Sequence, residues 1–391
     1  MKITIVTTIF PPDIGGPATY SSEILTKLGE RGHYIKVVTS SKLAEANPQI
    51  YVLPKKSILK MKIVGFLLKN IFLFFYIHKI SKNNDIIYVQ NPTILGFISL
   101  LTAKLLKKPI VLKFVGDKPW ETAYSQGQTK KFIEKFLLSP DGGIYIRFLF
   151  RLQKFVLNNV NKIIVPSQFL KELLITYYHV DSGNIKVIYN STNISSQINQ
   201  SHNNLITQKK PIITTVGRLV KHKQIDQIIY TVKEMISRFP HIQLNIIGDG
   251  PERHNLVILA NKLKMKKHVK FWGQISHSET IKQLVKSNIF VLNSIYEGLP
   301  HVVVESMVCR TPIIATRIKG TIEVVKNEET GILVSSNNPK ELKDKIILIL
   351  KNDKLRIKLI ENAYKMFEQN FSWKKNLNTL EKTLEEEIRM Y

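Results

Sequence analysis

Ile289-Phe290-Val291-Leu292-Asn293-Ser294-Ile295-Tyr296-Glu297-Gly298-Leu299-Pro300-His301-Val302-Val303-Val304-Glu305 carries a strand, a loop and the start of a helix in one short run. The apolar residues 289–292 read as a short buried strand. Pro300 suits the first turn of a helix, where its missing N–H costs nothing, so a helix is expected around 300–308. Glu297 then stands in the loop after the strand, and Glu305 lies about two helical turns beyond the helix start. Between the two acids, residues 298–301 bring backbone N–H groups to a helix N-terminus. That arrangement offers a carboxylate for sugar hydroxyls, amides for a phosphate, and a second carboxylate for a ribose diol.

Outward from this stretch the same alternation runs along the chain. Residues 212–216, 243–247, 269–272 and 313–315 read as further strands, with helices over 226–239, 253–264 and 278–286. Toward the N-terminus, 3–7, 35–39, 86–90, 110–115 and 162–166 read as strands, and 19–32, 93–106 and 145–159 as amphipathic helices. Short buried strands alternating with helices imply parallel sheets covered on both faces. Residues 191–210 turn polar and lose periodicity, as linkers do. The expectation is an α/β protein with an N-terminal domain over 1–205, a second domain over 206–370, and a last amphipathic helix within 371–391. Two doubly wound Rossmann-like domains would face a central cleft, with ligand held at the carboxyl ends of the strands.

Composition narrows the function classes. The 391 residues are 44% hydrophobic and 22% charged, with Gly 18 and Pro 16, which excludes disordered and fibrous chains. A single cysteine, Cys309, excludes a disulfide framework and a Cys-based zinc site, suits a reducing compartment, and is expected in the core. The short apolar start after Met1 is too brief for a signal-peptide core, so folding in the cytoplasm is expected. Lys and Arg number 57 against 30 Asp and Glu, a net charge of +27 that favours polyanionic partners. The stretch from Tyr51 to Gly116 is rich in lysine and holds one acid, Asp85. Its apolar run 63–77, interrupted by Lys69 and Asn70 and flanked by Lys55, Lys56, Lys60, Lys62, Lys79 and Lys82, is too short to span a bilayer. An apolar helix with lysine flanks can lie instead in an anionic membrane interface, so the lysines Lys55, Lys56, Lys60, Lys62 and Lys69 are expected to face the membrane. Nucleic acid is not expected: zinc fingers, RNP aromatics and an Arg-rich run are all missing.

Two further motifs carry chemistry. Phe10-Pro11-Pro12-Asp13-Ile14-Gly15-Gly16-Pro17 follows the first strand and opens a helix, where Gly15 and Gly16 let a diphosphate approach the backbone. It has neither the dinucleotide fingerprint spacing nor the Gly-Lys-Ser/Thr of a P-loop. Val216-Gly217-Arg218-Leu219-Val220-Lys221-His222-Lys223 ends a strand, and Arg218 and Lys223 can grip a diphosphate from two directions.

Taken together, these residues resemble the retaining, nucleotide-sugar-dependent glycosyltransferases of family 4 (glycosyl transferases group 1), which have the GT-B architecture. The glutamate pair, the Gly-Arg-Leu turn, Ile247-Gly248-Asp249-Gly250-Pro251, Phe271-Trp272-Gly273, the Pro-Pro-x-x-Gly-Gly loop and Arg31-Gly32-His33 all fall in family order. The resemblance implies that Gly16, Arg218 and Lys223 contact the donor diphosphate and that Glu305 binds ribose. It gives the donor sugar and phosphate to Glu297 with Gly298, Leu299 and Pro300, and the base to residues 273–275. Val115-Gly116-Asp117-Lys118-Pro119-Trp120-Glu121 is similar to the Val-Gly-Asp-x-x-Trp-Glu variant of the acceptor-side loop. Many members have a His-Asp pair there; this chain has Gly116-Asp117, so Asp117 and Glu121 become the local catalytic candidates beside Glu297. Gln224 and Arg310 stand where the family has glycine, and Lys319 interrupts a Gly-Gly pair. The last helix, by the same likeness, crosses back to the first domain.

No Asp-x-Asp occurs, so a metal–diphosphate chelate lacks support and no cofactor is expected. Arg218, Lys223 and helix-terminal amides are left to neutralise the leaving group. The expected reaction moves a sugar, with retention, from a nucleoside diphosphate sugar to a saccharide acceptor, expected to be lipid-linked and met at the inner face of the cytoplasmic membrane, in cell-surface polysaccharide biosynthesis. A GT-B sugar-nucleotide epimerase or a soluble glycoside synthase are alternative enzymes; a basic nucleic-acid-binding protein and a catalytically silent scaffold are alternatives of other classes.

Overall fold

A computed structural model describes residues 1–13, 16–41, 47–53, 62–192 and 210–391, for 62–67 the backbone alone. It divides into two compact units, Met1–Tyr189 with Lys374–Tyr391, and Asn190–Trp373. The expected linker over 191–210 lies, apart from residues 191, 192 and 210, outside the described residues.

In the first unit the chain runs through β1 (Lys2–Thr7), α1 (Gly16–Glu30), β2 (Tyr34–Thr39), β3 (Ile50–Val52), α2 (Lys62–Ser81), β4 (Ile86–Val89) and α3 (Ile94–Leu106). It continues through β5 (Ile110–Lys113), α4 (Lys118–Ser125), α5 (Ile133–Leu138), α6 (Ile144–Leu157), β6 (Lys162–Val165), α7 (Gln168–Tyr178) and β7 (Ile185–Val187). The strands form one sheet in the order β3-β2-β1-β4-β5-β6-β7, parallel throughout, with Ile5 paired to Val37 on one side and Tyr88 on the other. The central strands are buried on both faces, which is why they read as continuous apolar runs without alternation.

The second unit comprises β8 (Ile212–Val216), α8 (Ile225–Met235), β9 (Gln243–Ile247), α9 (Arg253–Lys262), β10 (Val269–Gly273), α10 (His277–Val285), β11 (Ile289–Leu292) and α11 (His301–Val308). After these come β12 (Ile313–Thr316), α12 (Lys319–Ile322), β13 (Ile332–Val334), α13 (Pro339–Lys351) and α14 (Asp353–Asn370). Its sheet, also parallel, has the order β10-β9-β8-β11-β12-β13. A core of Ile213, Ile228, Ile229, Val232, Leu244, Ile246, Val291, Ile314 and Ile332 lies between this sheet and its helices. In each sheet the winding reverses beside the first strand of the unit, at β1/β4 and at β8/β11, and the carboxyl edge of such a reversal is where doubly wound folds bind ligands.

The last helix, α15 (Trp373–Met390), belongs to the first unit from Lys374 onward. Leu377, Leu380 and Leu384 are buried along it. On the same helix Glu381 receives both Arg31 and His33, the His33 contact at 2.6 Å, and Glu387 pairs with Lys162 at 3.2 Å. Burial works to raise the Glu381 pKa, and the His33 and Arg31 contacts outweigh it, holding the carboxyl below its ordinary value.

Among the described residues no helix is long and apolar enough to cross a membrane. The run 63–77 is part of α2, whose buried stripe of Leu73, Ile77 and Ile80 faces inward while Lys69 is exposed. Lys55, Lys56 and Lys60 lie outside the described residues, as does the side chain of Lys62.

Candidate active site

The turn after β8 is held by main-chain bonds and by glycines. Gly217 N–H donates to the Ile247 carbonyl at 3.0 Å, Leu219 N–H to Asp249 at 3.0 Å, and Glu252 N–H to Leu219 at 3.0 Å. The Gly-Asp-Gly run lies flat against that turn: a Cβ on Gly248 would stand 2.0 Å from the Gly217 carbonyl oxygen, and one on Gly250 2.5 Å from that of Leu219. With Leu219 buried, the exposed Arg218 projects from a braced turn.

The loop after β11 is fixed from three sides. Ile295 N–H donates to the His222 carbonyl at 2.9 Å, Thr316 Oγ1 donates to the Ser294 carbonyl, and Asn293 Nδ2 donates to the Gln224 carbonyl at 3.3 Å. Behind it, a Cβ on Gly320 would stand 2.0 Å from the Glu297 carbonyl oxygen. Glu297 Oε1 accepts from Lys223 Nζ at 2.5 Å and from Ser294 Oγ at 2.6 Å. The structure thus brings Lys223 and Glu297 into one ion pair across two loops. Burial pushes the His222 imidazole down to about 4, with Lys223 and Arg218 pushing the same way and Glu297 opposing, so all three charges converge around that ring. Gly298, Leu299 and Pro300 are buried and lead into α11, where Val303 N–H donates to the Pro300 carbonyl at 3.0 Å and closes the first turn.

Glu305 lies on α11 and is 8% exposed. Its Oε1 contacts His277 Nε2 of α10 at 2.9 Å. Burial acts to raise its pKa, but the His277 hydrogen bond and the charges of His301 and His277 prevail, so the carboxyl stays ionised below its usual range. His277 had no signal in the sequence beyond sitting at a helix start; only the packing of α10 on α11 reveals it.

In the first unit, Gly16 is exposed as the first residue of α1, and Gly15 lies outside the described residues. Asp117 directly precedes α4. It has no exposed surface and caps α4: Trp120 N–H donates to Oδ1 at 2.8 Å, Gln153 Nε2 to Oδ2 at 2.8 Å, and Tyr178 OH also donates to Oδ2. A carboxylate so enclosed holds the loop together. Burial lifts its pKa to about 6, against those three hydrogen bonds. Glu121 sits partly exposed in the first turn of α4, favourably placed for the helix dipole. Nearby, Lys113 is buried with its Nζ over the Tyr20 ring and 3.2 Å from the Ile188 carbonyl; burial pushes it down to about 7. Among the described residues no three His, Cys, Asp or Glu side chains gather as a metal ion would require.

The two halves of the chain each match a known family description: Glycosyltransferase Family 4 over residues 14–196 and Glycosyl transferases group 1 over 196–366. An uncharacterized glycosyltransferase of Methanocaldococcus jannaschii is 32% identical over 60% of this chain and 62% of its own length, so the chain spans about three-fifths of that relative. The N,N'-diacetylbacillosaminyl-diphospho-undecaprenol alpha-1,3-N-acetylgalactosaminyltransferase of Campylobacter jejuni is 25% identical over 74% of each chain. Anabaena HepE, solved in complex with UDP and glucose, superposes with a TM-score of 0.76 at 18% identity, covering 99% of this chain and 100% of its own, which establishes the GT-B fold. By both halves of its sequence and by its GT-B fold, the chain belongs to the group 1 glycosyltransferases.

Proposed function

We propose that the chain is a retaining hexosyltransferase that moves a sugar from a nucleoside diphosphate sugar to a saccharide acceptor, and that the acceptor is lipid-linked and met at the inner face of the cytoplasmic membrane during cell-surface glycan assembly. One observation carries the reading: Arg218, Lys223, Glu297 and the N-terminus of α11 gather at the carboxyl edge of β8 and β11, where the second sheet reverses its winding. Two fixed cations and a helix N-terminus stabilise negative charge as it develops on a departing diphosphate. Glu297 orients the donor sugar, and Glu305, aligned by His277, takes the ribose diol. In the transfer the acceptor oxygen forms its bond to the anomeric carbon as the bond from that carbon to the diphosphate oxygen breaks. The acceptor's proton passes to the departing phosphate oxygen on the same face, so configuration is retained.

The named action of the Campylobacter relative on a diphospho-undecaprenol substrate favours a lipid-linked acceptor. The lysines of the first unit favour an anionic membrane surface near it. The deciding experiment measures release of nucleoside diphosphate and of product with a panel of donors and a lipid extract as acceptor. Glu297→Ala and Arg218→Ala should each lower kcat/KM by about 100-fold, the size of effect known for loss of one preorganised electrostatic contact. A chelator should leave turnover unchanged. Full transfer by both variants would overturn the assignment, and abolition by chelator would overturn the metal-independent part.

A further inference from the structure

In the first unit α2, α3 and α6 pack side by side, with α3 in the middle. Each buries an apolar stripe, as a helix on a sheet should: Leu73, Ile77 and Ile80 on α2, Leu95, Ile98 and Leu100 on α3, Ile146, Leu149 and Val156 on α6. Each also carries a second apolar stripe on its exposed side. On α2 it is Leu68, Ile71, Phe72 and Phe75, at the i, i+3, i+4, i+7 spacing of one helix face; on α3 Leu101 and Leu105; on α6 Ile144, Phe148 and Phe155. Phe75 is 63% exposed, Leu105 62% and Ile144 83%. The Phe97 and Phe155 rings meet edge to face at 5.9 Å, joining α3 to α6. Lys108 Nζ donates to the carbonyls of Ser81 at 2.9 Å, Lys82 at 2.5 Å and Asn84, fastening the end of α2 beside the end of α3. The outer face is therefore one braced surface.

Its charges have one sign. The three helices, of 20, 13 and 14 residues, contain no Asp or Glu. Lys69, Lys79, Lys104, Arg147 and Arg151 are exposed along them. The acids that border the helices in sequence are already engaged: Asp85 accepts from the Lys2 amide at 2.7 Å, and Asp141 pairs with Lys131 at 3.3 Å.

We propose that the outer faces of α2, α3 and α6 together form a docking surface for an anionic lipid bilayer, the apolar stripes entering the acyl boundary and the cations meeting lipid phosphates. The proposal rests on the membrane-side reading for its purpose and on these side chains for its support, and it moves the contact from the lysine segment 55–69 to a three-helix face. A second copy of the chain is the poorer occupant, since a two-fold interface would set these cations against one another with no acid to oppose them. Nucleic acid would answer the charges and leave the aliphatic stripes in water. A bilayer with anionic headgroups answers both.

The test is cosedimentation of the full chain with phosphatidylcholine vesicles with and without phosphatidylglycerol. The native chain should bind those with phosphatidylglycerol and leave those without in solution. A Leu105→Glu, Phe148→Glu double variant should lose binding by about tenfold or more at unchanged melting temperature. Should that pair fail to fold, Leu105→Ser, Phe148→Ser serves with the same expectation. Unchanged binding by the folded variant overturns the proposal, and so does a concentration-dependent dimer that the variant alone fails to form. Transfer to a detergent-dispersed lipid extract is measured in parallel: transfer without vesicle binding removes the docking surface and leaves the enzymatic reading, whereas binding without transfer supports the surface and removes that reading.

Discussion

Asp117 keeps its carboxyl among a tyrosine, a glutamine and a backbone amide, and burial lifts its pKa to about 6 from an ordinary 3.8. The folded state therefore holds the proton more tightly than the unfolded chain, so this group's contribution to stability is fully present below about 4 and is lost as pH rises through about 6. Asp117→Asn should flatten the stability profile between pH 4 and 6, read by thermal melting across that window, while preserving the cap, since asparagine caps helices as well as aspartate does. Asp117→Ala should cost about 1–3 kcal/mol, leaving buried donors unmatched. A profile with the same slope in Asp117→Asn would assign the titration elsewhere. Two other residues show what a sequence conceals at this scale. Gln224 and Arg310 replace family glycines, yet both adopt the left-handed backbone a glycine would supply, with φ of 48° and 53°. Each is anchored by its side chain, Gln224 through Asn337 at 2.5 Å and Arg310 through Glu361 at 2.6 Å with its guanidinium over the Tyr364 ring. The backbone geometry is kept where the residue type is not, which no reading of residue types alone reveals.

At the scale of elements, strands with both faces buried were the legible part, because an apolar run bounded by polar residues has few other readings. The strands Ile212–Val216, Gln243–Ile247 and Ile289–Leu292 lie where their runs do. The edge strands β3 and β7, three residues each, gave no such run, and α4 and α5 are short helices of 8 and 6 residues; α7, with Phe169, Leu170, Leu173 and Leu174 buried at helical spacing, carried a signal that the strand pattern around it overshadowed. The expected strand 110–115 ends at Lys113 because the chain turns there toward the Asp117 cap. Legible too was the chemistry of Glu297 and Lys223 as residue types; their mutual contact was not, because 73 residues intervene and only the adjacency of β8 and β11 closes the gap. The loops that carry these two residues are pressed by glycines, and that yields a prediction. Gly320→Ala places a Cβ against the Glu297 carbonyl, a backbone atom that cannot rotate away. It should lower kcat by about tenfold or more through displacement of the loop, since an ångström of misplacement carries a cost of that order. The same change at Gly29, in α1 with nothing within 4 Å of the added carbon, should raise stability by about 0.5–1 kcal/mol and leave turnover alone. Equal turnover in both variants would show that the loop tolerates the intrusion.

For the whole molecule the decisive fact is that the chain leaves its first unit at Tyr189 and rejoins it at Lys374. The first unit is thus built from two distant pieces of sequence, and α15 is part of its core although it follows the entire second unit. Leu380 is 1% exposed on that helix, and the flanking Glu381 and Glu387 tie it to Arg31, His33 and Lys162. Removing a buried leucine side chain costs about 2–5 kcal/mol, depending on how far the cavity collapses. Leu380→Ala should therefore destabilise the N-terminal unit, far away in sequence, and spare the C-terminal one that immediately precedes it. Trp120 lies in the first unit and Trp272 in the second, so with Trp373 replaced by phenylalanine each unit has its own fluorescent reporter. The denaturant midpoint seen through Trp120 should fall while that seen through Trp272 holds. A fall confined to Trp272 would mean that α15 stabilises the unit before it in sequence, and that its buried leucines and ion pairs do not make it part of the first unit.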